Sequence, residues 1–115
     1  MRTMLGWLCA AAATASFAAP PPPQGFSALL DDAMARMHHA MASAERTGDP
    51  DRDFVTSMIP HHQGAVNMAR ALLLYGKDPA LRRLAEGIIA DQQTEIELME
   101  RWLQQHDHRQ REDRR

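Results

Sequence analysis

Apolar residues recur every three or four positions in three separate stretches of this chain, and no stretch alternates as a strand would. At about 100° per residue, Phe26, Leu30, Ala33, Met37, Met41 and Ala44 share one face of a first helix, with Met34 and His38 at its edge. Ser27 is placed to cap that helix, which is expected to run to about Thr47, with Gly48 past its end. Asp49-Pro50 opens a second helix that should reach Tyr75 and stop at Gly76. Phe54, Met58, His61, Ala65, Met68 and Leu72 form its apolar face, with His62 on the flank and Thr56, Gln63, Asn67 and Arg70 opposite. Asp78-Pro79 repeats the device for a third helix to about Gln105, striped by Leu81, Ala85, Ile88, Met99 and Leu103. Gln92 and Glu95 fall inside that stripe. A buried carboxylate without a partner is costly, so Glu95 should meet a cation, a histidine or a metal.

The expected fold is therefore all-α, three helices running up, down and up in antiparallel order. Three broad apolar faces leave one side open, and self-association is expected to complete the bundle.

The second helix carries features that a merely packed helix would avoid. Pro60 and Gly64 lie in its middle, at a cost of about 3 and about 1 kcal/mol respectively in an ordinary helix interior. Two adjacent histidines sit between them. The expected use of Gly64 is to let a neighbouring helix come close.

The ends of the chain read differently. Residues 1–18 have the layout of a secretory signal peptide: Arg2, an apolar run from Met4 to Ala13, and Ser16-Phe17-Ala18 before the cut. Residues 19–26 form a linker rich in proline, residues 27–105 the helical domain, and residues 106–115 a charged tail expected to be disordered. The mature chain is expected in the periplasm or outside the cell, with no membrane span.

Cleavage removes Cys9, the single cysteine, so thiol chemistry and cysteine-type zinc sites drop out. It also removes Arg2, taking 13 basic residues to 12 against 15 acidic, a net charge of −3. With no basic face, nucleic-acid binding is disfavoured. Six of the eight methionines survive. Met37, His38 and Met41 on the first helix, with Met58, His61 and His62 on the second, supply thioether and imidazole donors at spacings that share a helical surface. Such donors suit a soft ion, Cu(I) above all, while Glu95 can orient a ring or bind a harder ion. The same residues have plainer uses, methionine as core filler and histidine as a hydrogen-bonded core residue. Glu-x-x-His, His-Glu-x-x-His, glycine-rich phosphate loops and nucleophile elbows are absent from the sequence, so no enzymatic motif presents itself.

Asp53-x-x-x-x-Met58-Ile59-Pro60-His61-His62-Gln63-Gly64-Ala65, then Met68-Ala69, then Ile88-Ile89-x-x-Gln92-x-x-Glu95-Ile96-x-x-Met99-x-x-Trp102-Leu103, resembles the domain-of-unknown-function family 305. The resemblance covers about Met34 to Leu103. It implies an exported, bacterial, ferritin-like helical protein, and some family members are associated with copper binding or resistance. Carried over to this chain, that implication falls first on Met58, His61 and His62 and then on the methionine-rich first helix. The expected function is copper buffering, transport or resistance. The alternatives are a helical interaction module holding a buried His, Gln and Glu network without metal, and a small metal-dependent oxidoreductase.

Overall fold

The computed structural model describes residues 25–115, and all regular structure among them is helical. Helix α1 spans Phe26–Ser43, α2 Pro50–Tyr75 and α3 Pro79–Asp113. The expected signal peptide and most of the linker lie outside the described residues.

The two Asp-Pro starts behave as the sequence suggests. The Asp49 carboxylate accepts from the backbone N–H groups of Asp51 and Arg52, and that of Asp78 from Ala80 and Leu81. Each proline stands where its missing N–H would have had no helical partner. Helix α2 continues through Pro60 and ends with Gly76 as its C-cap. Arg82 reaches back from α3 to donate to the carbonyls of Leu73 (2.6 Å) and Gly76 (3.0 Å). Those carbonyls belong to the end of α2, which a cation satisfies well.

Helix α1 departs from expectation at both ends. Its N-cap is Gly25, with no side-chain bond, and Ser27 lies inside the helix. It stops at Ser43 rather than near Thr47. The reason lies across the turn. Asp53 accepts from the Thr47 backbone N–H (2.8 Å), the Thr47 hydroxyl (2.8 Å) and the Gly48 N–H (3.0 Å). Those bonds hold the connection in a non-helical form, with Gly48 at a φ of 85° that favours glycine.

The end of α3 departs from expectation as well. Helix α3 runs past Gln105 to Asp113, so residues 106–113 are helical. Contacts to the start of α2 hold this extension. His106 Nε2 lies 3.0 Å from Asp49, and Arg52 donates to Asp107 at 3.3 Å. The His106 ring also stacks on Trp102, with centroids 4.7 Å apart.

Helix α2 is the centre of the molecule: both α1 and α3 pack on it, and α1 and α3 make no backbone contact with each other. Contacts along each pair run in opposite chain directions. Phe26 meets Tyr75 while Met37 meets Gly64, and His106 meets Asp49 while Arg82 meets Leu73. The buried apolar residues are Ala33, Val55, Val66, Ala69, Ala71 and Ala85. This core does not follow the apolar stripe expected on α2. By helical geometry Val55, His62, Val66 and Ala69 face α3, and Gly64 and Ala71 face α1, on nearly the opposite side. The stripe Phe54, His61, Ala65, Met68 and Leu72 points between the two flanking helices.

Candidate functional site

His62 is the one buried polar or charged residue among the described residues, at 8% exposure. Its Nδ1 lies 2.9 Å from the Met58 carbonyl and its Nε2 2.6 Å from the Glu95 carboxylate. The sequence expectation had His61 inward and His62 on the flank; the structure reverses them. Helix α3 docks on the flank of α2 instead of the centre of its stripe, so the flanking ring becomes the buried one. His61 is exposed, its ring 6.0 Å from that of His62 in an edge-on arrangement. Glu95 does meet a histidine, but from an exposed position and not from inside a buried stripe.

Both nitrogens of His62 thus face acceptors. A neutral imidazole has one N–H, so it satisfies one acceptor and leaves the other to a proton on Glu95; the doubly protonated ring donates to both. Either way no lone pair of His62 is left for an ion without breaking a bond in the α2–α3 seam. With Nδ1 held by the Met58 carbonyl, His62 could turn Nε2 to an ion only by giving up Glu95.

The remaining candidates divide between two places. Met37 is half-buried against Gly64, where an added Cβ would sit 2.6 Å from its Sδ and 2.9 Å from its Cβ and Cγ. Gly64 therefore serves the close approach expected of it, and Met37 fills that contact. Met34, Met41, Met58 and His61 fall instead, by helical geometry, on the open side of the three-helix layer, with His38 exposed at its edge. Among the described residues no three His, Cys, Asp or Glu side chains converge as a metal cluster. Thioether donors lie outside that set, and the chemistry of the open face is thioether with imidazole.

A second polar cluster escaped the sequence reading. Asp49, Arg52, Trp102, His106 and Asp107 join the start of α2 to the end of α3, beside a cleft also lined by Glu45, Arg111 and Arg114. His106 Nδ1 is buried there without a hydrogen-bond partner, 3.7 Å from Asp107. The Arg52 side chain, bonding to it, holds the Asp107 carboxyl below its usual range. Asp53 is likewise depressed, first by the Thr47 backbone N–H and then by the Thr47 hydroxyl. One sequence signal was available: Met99, Leu103 and His106 continue the three-four spacing beyond Gln105.

The profile of the domain of unknown function DUF305 matches residues 1–103, most of the chain. The chain belongs to the DUF305 family. The match takes in both histidines, Gly64, Gln92 and Glu95, and ends before the extension of α3 that carries His106. A relative from Acanthamoeba polyphaga mimivirus, the uncharacterized protein L153, is 41% identical over 49 residues. That segment is 43% of this chain and 32% of the viral protein, so the chain spans about a third of that relative's length.

Proposed function

We propose that this DUF305 protein is an exported binder of soft metal ions, Cu(I) foremost, acting in copper buffering, transport or resistance. The observation that carries the reading is the shared position of Met34, Met41, Met58 and His61 on one open face, with His38 at its edge. Thioether and imidazole donors without cysteine or a cluster of carboxylates select a soft ion over Mg or Ca. The copper association comes from the family resemblance, and export from the layout of residues 1–18. The up-down-up, ferritin-like arrangement belongs to the same reading, supported by the opposed chain directions of the two helix pairs.

The site set differs from that read off the sequence: Met34 joins it, and Met37, His62 and Glu95 leave it. His61 takes the leading role, because His62 and Glu95 hold each other and Met37 packs on Gly64. The test is competition against a Cu(I) chelator. His61→Ala and the pair Met41→Leu with Met58→Leu should each weaken binding at least tenfold while helicity is kept. Parent-like affinity in both variants would sink the metal reading.

A second reading, an interaction module with an internal polar network and no metal, is favoured by the engagement of both His62 nitrogens. On that reading the protein leaves Cu(I) with the chelator, and His62→Ala lowers stability alone.

A further inference from the structure

The apolar side of this chain is not in its own core. Every buried apolar residue among the described ones is an alanine or a valine, and only Val66 among the larger side chains is fully covered. No Leu, Ile, Met, Phe or Trp there is buried. Small domains are already short of buried surface, and a layer with a core of this kind is short of it by its own design.

Five of the eight large apolar residues exposed among the described ones gather on one face, while Phe26 and Tyr75 meet edge to face at one end and Leu74 lies on the other side. By helical geometry, α1 contributes Met34, α2 Phe54, and α3 Leu81, Leu84 and Leu98 to the side away from Arg36, Gln63, Asn67 and Arg70. Exposure ranges from 39% at Met34 to 61% at Phe54. At roughly 200 Å² of accessible area per residue, these five leave on the order of 500 Å² open, more than half of the ~800 Å² per partner that a stable interface buries. The half-exposed Met41, Met58, Met68, Leu72 and Ile88 lie between them.

We propose that this face is an interface at which a second copy of the chain docks. Two arguments select the copy over another partner. First, the deficit is in the chain's own folding core, so the occupant must be present whenever the chain folds, and another copy always is. Second, the face is apolar over most of its width, hence self-complementary, while the opposite face carries Arg36, Gln63, Asn67 and Arg70 beside Leu74. One sticky face used by both partners closes on itself as a two-fold pair instead of growing into a filament. The inference does not rest on metal binding.

Sedimentation velocity of the full chain at micromolar concentration is the test, and a dimer is expected. Leu84→Glu with Leu98→Glu should shift it to monomer or to unfolded chain, while Leu74→Glu on the polar side leaves the dimer intact. Because the double variant can fail to fold, nitroxide labels in a Cys9→Ser background give an independent readout. A label at Phe54→Cys should show dipolar broadening that disappears on dilution with unlabelled chain, and one at Arg70→Cys should not. A helical monomer, or a dimer broken by Leu74→Glu and indifferent to the double variant, overturns the proposal. So does a full-length monomer that pairs only once residues 1–18 are removed, which assigns the face to the N-terminal apolar segment.

Discussion

The two seams of α2 are built from different materials. Towards α1 the contact is one of shape: Gly64 and Ala71 on α2 receive Met37 and Ala33, against the polar contacts of the other seam. Towards α3 the contact is directional, with His62 and Glu95 in the middle, Asp49, Arg52, His106 and Asp107 at one end and Arg82 at the other. A shape seam tolerates sliding and fails when volume is added. A directional seam sets register and fails when one partner is removed. The lesson is that α1 is placed by the absence of a side chain and α3 by the presence of several.

Adding volume at the shape seam should have the largest effect. Gly64→Leu drives a branched side chain into Met37 and is expected to cost about 3 kcal/mol, read as a lowered midpoint in chemical denaturation. Gly64→Ala should cost less, because the better helix former returns about 1 kcal/mol against the clash. A Gly64→Leu protein as stable as the parent would show that α1 does not rest on this contact.

Removal at the directional seam comes next. His62→Ala should cost about 2 kcal/mol and Glu95→Ala about 1, the latter reduced because Glu95 is partly solvated. A double-mutant cycle should return a coupling near 1 kcal/mol. The same cycle between Met37 and His62, on opposite sides of α2, should return none; a comparable value there would erase the distinction between the seams.

Acid should act at the start of α2, where two depressed carboxyls lie. Asp53 and Asp107 are both held below the ordinary aspartate range. Their contribution is present in full above the unfolded-chain value of about 4 and is lost as pH falls through the lower folded values. Amide protection, the exchange rate taken relative to the free peptide at the same pH, should therefore fall in the α1–α2 turn and in residues 106–113 below about pH 4. Asp53→Asn should remove the pH dependence of the turn.

The smallest effect is expected from Arg52→Ala, which frees Asp107 at an exposed helix end. Faster amide exchange confined to the last turns of α3, with the global midpoint unchanged, is the expected pattern. A global loss would mean that the α3 extension is part of the cooperative core.

Much of the framework was legible in the residues. Both Asp-Pro caps and the end of α2 at Gly76 follow from local chemistry, which acts within a few positions of the chain, and the glycine at 64 marked a close approach without saying to what. The stop of α1 at Ser43 and the helical state of residues 106–113 did not follow. Each depends on a bond to another element, from Asp53 across the turn and from Asp49 and Arg52 across the seam. The exchange of roles between His61 and His62 has the same origin. Periodicity shows which residues share a face of α2, because the helix repeat is a property of the backbone alone. Which side of α2 each neighbour occupies is decided by packing between helices, and a helix wheel is blind to it. The apolar stripe of α2 told where a helix was wanted; tertiary structure put α1 and α3 on either side of it and left the stripe open.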